Sequence, residues 1–349
     1  MRSRMFGFVL TGVALGVAMF TPRSWGQVAE HPVLLALSKT DHTLSIVDPV
    51  TLKVIAKMPV GPDPHEVIAS TDGTRAWVSN MLNSQGHELD VLDLVNHKAL
   101  PSIDTAPMVG LHGLDFQGGK VWFTAQGAKS IGWLDPGTGK TEWIMGTGQD
   151  FTHLIRVMPG GQTIFVSNAH SASVSIIENR EVPPDPMRPG PPNPPGPARR
   201  DWFVTTIPTS LGTEGFDVSP DWKELWTAAA SDGKLWIIDT AQRKVAASID
   251  AKLNGANRLK FTPDGKRVLV SILSTGDLFV YDVASRKEIK RVILGKGCAG
   301  ILVDPDGSRA FVGCTAANYV AVVDLNTLTV TSHLDVGGGP DGLTWAKRP

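Results

Sequence analysis

The sequence is short of the features that announce several common chemistries. No Cys-x-x-Cys-His stretch occurs, which excludes a covalently attached haem. No Gly-x-Ser-x-Gly elbow occurs either, and a serine hydrolase of that type is set aside with it. Gly137-Thr138-Gly139-Lys140-Thr141 looks like the end of a phosphate-binding loop, but the upstream position that must be glycine is Leu134. An excess of charge is also missing: 33 basic and 34 acidic residues leave a formal net charge of −1, with no basic footprint for nucleic acid. Long apolar runs are limited to one, from Met5 to Phe20, and nothing downstream of it suggests a membrane span. Cysteine is limited to Cys298 and Cys314.

The apolar run follows Arg2 and Arg4 and leads into Ser24-Trp25-Gly26, the pattern of an export signal over 1–26 with cleavage before Gln27. The remaining 27–349 is then expected in the periplasm or outside the cell as one domain. It is expected to be a monomer with no stable membrane insertion.

What the sequence does have is a repeat. Residues 257–282 hold two β-rich runs on either side of Pro263-Asp264-Gly265, then a polar loop and a third run ending on Asp282. This reads as three strands of an antiparallel meander. Acids at the same place, Asp48, Asp93, Asp135, Glu178, Asp239, Asp282 and Asp324, follow one another at steps of 45, 42, 43, 61, 43 and 42 residues. Those steps match the period of four-stranded propeller blades, about 40–45 residues. Five residues after six of the acids stand Lys53, Lys98, Lys140, Lys244, Lys287 and, as the exception, Thr329, so a common turn feeds a fourth strand. The long step contains a proline-rich insertion over 182–200, whose composition forbids a sheet ladder and favours a stiff, extended excursion.

Inner strands are expected to begin near Glu66, Gly113, Leu154, Gly215, Arg258 and Gly300. The first blade finds only three strands at the N-terminal end (33–38, 44–47 and 52–58), and 342–346 supplies the missing one. The fold expected is all-β: a seven-bladed β-propeller of four-stranded antiparallel blades, closed by the C-terminal strand joining the N-terminal blade. Trp77, Trp122, Trp133, Trp226 and Trp236 are assigned to packing between blades. A turn over 304–307 would set 303 against 309 and 298 against 314. Cys298 and Cys314 would then oppose each other, either as a disulfide in an oxidising compartment or as two buried thiols.

In a propeller the residue that opens each inner strand points to the mouth of the central channel. Counting eight residues back from Gly73, Gly161, Gly265 and Gly307, or from Trp222 at the matching place, gives His65, His153, Asn257, Ala299 and Glu214. The shorter third blade gives His112 and the composite blade Asp341. Loops on the same face carry His42, His87 and His170, so six of the nine histidines are expected there. Such a convergence suits a divalent ion, calcium or magnesium on the oxygens, manganese, zinc or copper on the imidazoles.

The runs Trp77-Val78-Ser79-Asn80, Phe165-Val166-Ser167-Asn168 and Phe311-Val312-Gly313-Cys314 resemble the YVTN-type repeat of secreted and periplasmic bacterial propellers, over nearly all of 27–349. That resemblance implies the fold and leaves activity open. The function expected is a binding or scaffold propeller that presents its histidine-rich face and channel to a small-molecule or protein ligand or to a metal. The alternative is a metal-dependent lactonase-like hydrolase or lyase. The ring is similar to that of gluconolactonase-type propellers, which hold a divalent ion with Glu, Asn and Asp, and more loosely to the His and Glu cluster of streptogramin lyases. The similarity implies Glu214, Asn257 and Asp341 as metal ligands, with His153 or His112 as general base or acid; His65, on the same ring, joins the metal candidates. A third reading is an accessory to a periplasmic redox system.

Overall fold

The computed structural model describes residues 31–182 and 199–348. The expected export signal lies outside them, as do 183–198 of the insertion. Seven four-stranded antiparallel sheets are present, each ordered from an inner to an outer strand. In six of them the four strands follow one another along the chain. The first blade instead takes its inner strand, Pro340–Ala346, from the far end and pairs it with Val33–Ser38. The closed seven-bladed ring is therefore the one read from the repeat.

Short-range chemistry explains the repeat. The periodic acid closes the turn into the outer strand: Asp48 accepts from the N–H groups of Val50 and Thr51, Asp93 from Val95 and Asn96, and Asp324 from Asn326 and Thr327. Four residues past six of the seven acids the backbone turns left-handed, at Leu52, His97, Arg243, Arg286 and Leu328 (φ 52 to 57°) and at Gly139. A type I turn followed by a left-handed residue is a common three-residue hairpin loop. Gly137-Thr138-Gly139 is this turn, with Asp135 accepting from Gly137 and Thr138. The hairpin between inner and second strands turns on Gly73, Gly161, Gly265 and Gly307, and Trp222 adopts the same left-handed backbone in the fifth blade (φ 62°).

The core lies between blades, where the faces of adjacent sheets meet. Trp77, Trp122 and Trp226 are buried in it, as expected. Trp133 and Trp236 are only half-buried, and Trp133 still packs against the core between the third and fourth blades. Cys298 and Cys314 are directly opposed and bonded, with S–S 2.06 Å. The expected register of the hairpin needs a correction: Val303 faces Ala310 rather than 309, and an irregularity between Cys298 and Ile301 restores the pairing at the cysteines.

Candidate functional site

Each inner strand opens in the same way. Two residues before the ring position the backbone turns left-handed, at Asp63, Gly110, Phe151, Gly212, Gly255, Gly297 and Gly339. Just past it, the pairing with the second strand slips. A bulge re-aims a side chain and frees a backbone N–H that must find another partner. A second-strand hydroxyl supplies one. Ser79 accepts from Glu66 N–H and donates to the His112 carbonyl of the next blade (2.7 Å). Thr124 does the same between Gly113 and His153, Ser167 between Leu154 and Glu214, and Ser271 between Arg258 and Ala299. The serine of the repeat thus ties the mouth of one blade to the next.

All seven ring residues, His65, His112, His153, Glu214, Asn257, Ala299 and Asp341, line one pocket of about 270 Å³ at the channel mouth. Along one wall runs a ladder of rings. His65 and His112 are 4.8 Å apart, His112 and His153 3.8 Å, His153 and Phe151 5.2 Å, and Phe151 and His170 4.2 Å between centroids. His112 and His153 are 1% and 4% exposed, and burial first, then the neighbouring positive groups, holds both well below the ordinary histidine value. Both are neutral at pH 7. His153 Nδ1 faces Gln126 Oε1 at 3.3 Å, whereas His153 Nε2 and His112 Nδ1 are buried without a partner among the described residues. Of the loop histidines, His170 joins through Phe151, His87 pairs with Asp104 at 2.9 Å on the rim, and His42 is exposed away from the pocket.

The opposite wall carries two cations that ring counting missed. Lys39 Nζ bonds Asp341 Oδ2 at 2.9 Å and the His65 ring. Asp341 is pushed up by burial, yet Lys39, Arg258 and His65 bring it below the usual carboxylate range. Arg258 reaches across the channel to Glu66 Oε1 at 2.6 Å, from the sixth blade to the second. The residues after the ring position alternate around the axis: Gly342, Glu66, Gly113, Leu154, Gly215, Arg258, Gly300. A Cβ at Gly113, Gly215, Gly300 or Gly342 would meet the neighbouring inner strand's backbone at 2.1–2.5 Å, so only every other blade has room for a side chain. That alternation was the available signal for Glu66 and Arg258. Their ion pair floors the mouth and separates it from a second chamber of about 340 Å³ lined by Asp115, Arg156 and Lys260.

The expected metal candidates bond to neighbouring groups: Asn257 Nδ2 donates to Glu214 Oε2 (2.6 Å), Asn257 Oδ1 accepts from Arg258, and Asp341 accepts from Lys39. Among the described residues no three His, Cys, Asp or Glu side chains converge on a point that could hold an ion. Glu214 is raised above its ordinary value, chiefly by burial and also by Asp341, against the pull of Arg258, His170 and the Asn257 hydrogen bond.

No family model matches the chain, and no curated protein matches it. Solved structures do. Hydrazine synthase of Kuenenia stuttgartiensis superposes with a TM-score of 0.65 at 18% identity, over 80% of this chain and 89% of that one. A functionally unknown protein of Desulfotomaculum acetoxidans gives 0.70 at 12% over 91% and 99%, and a 6-phosphogluconolactonase candidate of Bacteroides uniformis 0.70 at 14% over 91% and 100%. At these identities the likeness is one of fold.

Proposed function

We propose that this is a binding propeller whose ligand is a small polar molecule seated at the histidine-walled mouth. One observation carries the reading: two buried, neutral imidazoles on the pocket wall hold ring nitrogens with no partner, His112 Nδ1 and His153 Nε2. A buried polar atom left unpaired costs about 1–3 kcal/mol, and a ligand that pairs it recovers that cost. The test is a thermal-shift panel of amines, amino acids, sugars, hydroxy acids and lactones on wild type and His153→Leu. Stabilisation of wild type that disappears in the variant is expected. Stabilisation that persists unchanged in His153→Leu would place binding elsewhere and end the proposal.

Hydrolysis of a lactone or ester is the second reading. The free lone pair of a neutral histidine beside the Glu214 blade supports it, as does the fold shared with the 6-phosphogluconolactonase candidate. His153 or His112 would then take up the proton. Turnover of a lactone panel that a chelator abolishes would favour the metal-dependent form. Turnover indifferent to chelator would favour the imidazole alone, and none would leave binding. We infer further that the repeat is of the YVTN type, on the three quoted runs, and that the chain is exported. The signal-like residues 1–26 and the Cys298–Cys314 bond support export, since such a bond persists in oxidising compartments. Cell fractionation of the full-length chain tests it: recovery in the cytoplasm would count against export.

A further inference from the structure

We propose that the molecule bound at the channel mouth is a small primary ammonium compound, held by the Glu214 carboxylate and the His153 Nε2 lone pair beside Phe151. This rests on the binding reading above and names the class of ligand. Gln126 Oε1 can only accept, so His153 Nδ1 carries the hydrogen and Nε2 of the neutral ring is a lone pair. Glu214 has one oxygen on Asn257, and among the described residues no hydrogen bond reaches the other. The cations of the pocket are already engaged, Lys39 with Asp341 and His65, Arg258 with Glu66 and Asn257 Oδ1. Glu214 and His153 therefore offer acceptors, while the single N–H of the neutral His112 ring is a further donor without a partner among the described residues.

The charge count agrees. Lys39 and Arg258 are each hydrogen-bonded to a carboxylate, Asp341 and Glu66, whereas Glu214 is hydrogen-bonded only to an amide and feels Arg258 and His170 through space. One positive charge balances the site. An ammonium needs only hydrogen-bond acceptors and a balancing carboxylate, and Glu214 and His153 Nε2 are such groups.

Phe151 takes its place on the wall at a backbone cost. Five of seven blades use glycine at its position, where φ is positive, and Phe151 sits there at φ 55°. A bulky side chain in that region is strained. The other exception, Asp63, uses its side chain to bond His65 at 3.0 Å. Phe151 makes no polar bond; its ring stacks with His153 and with His170 and lines the pocket, so it holds the His153 ring in place on the wall.

Calorimetric titration with three probes of similar size tests the assignment: 2-aminoethanol, ethylene glycol and glycolate, which are cationic, neutral and anionic. At pH 7.5, 2-aminoethanol is expected to bind at least tenfold more tightly than the other two. Glu214→Gln, checked for folding by circular dichroism, should lose at least tenfold in that affinity. Phe151→Gly, which installs the residue most blades carry, should also weaken binding while leaving the fold at least as stable. In wild type, where no variant is needed, affinity should fall as pH drops and Glu214 takes up its proton. Glycolate or ethylene glycol binding as tightly as 2-aminoethanol, and lost in His153→Leu, would overturn the ammonium assignment and leave the site standing. Binding of 2-aminoethanol unchanged in Glu214→Gln, Phe151→Gly and His153→Leu would overturn both.

Discussion

His112 and His153 are the residues on which the site turns, and their protonation sets its pH behaviour. Both titrate below the ordinary value of 6.5 in the folded chain, because the fold buries them near Lys39, Arg258 and each other. Below that value the unfolded chain holds protons that the folded chain refuses. Stability is therefore intact above pH 6.5 and falls as pH drops through the window towards their folded values. Urea unfolding at stepped pH should show this decline in wild type and a flatter one in the His112→Leu, His153→Leu double variant. The difference in slope can reach about 1.4 kcal/mol per pH unit for each histidine. Equal slopes would mean that the imidazoles are solvated. Glu214 acts with the opposite sign: its raised value means that the folded chain binds the proton more readily, which favours folding as pH falls.

Two devices repeat from blade to blade at the scale of single strands and turns. The hydroxyl bridge is one. Ser271→Ala would strand the Arg258 N–H and the Ala299 carbonyl together, at a cost of about 1–3 kcal/mol read from chemical denaturation. A change within a few tenths would show that the bridge is dispensable. The left-handed turn residue is the other. His97 is exposed and takes φ 52° where the third blade has Gly139. His97→Gly should stabilise by about 0.5–1 kcal/mol, and Gly139→Ala should destabilise by about 1 kcal/mol. Opposite signs are the diagnostic result; a loss in both would contradict the turn geometry. These devices were half visible in the sequence. The periodic acid, the lysine five residues on and the repeated serine could be counted, but the bulge that makes the serine necessary could not. A bulge is a mismatch between two strands, and a single-strand pattern does not contain it. The same blindness put 309 opposite 303 in the last hairpin.

The whole molecule depends on joining its two ends. Pro340–Ala346 is the inner strand of the first blade and packs against the inner strand of the second, so it carries both ring closure and Asp341. Removing 340–349 would bare the edge of Val33–Ser38, a fully buried strand, and leave Lys39 without its carboxylate. The truncated chain is expected to aggregate on expression, whereas a soluble chain with cooperative unfolding would show that six blades and a half suffice. Across the axis the molecule adds the Glu66–Arg258 pair, 192 residues apart in sequence.

The sequence by itself determined the number of blades, the closure by both termini and the seven residues of the mouth, because each follows from a period of turns and strands encoded within about 40–45 residues. Only the tertiary structure decided what those seven residues face. Lys39 entering from a loop, Arg258 crossing to Glu66, Phe151 against His153 and the unpaired nitrogens of two neutral imidazoles arise between blades, where distance around a ring has no counterpart in distance along the chain.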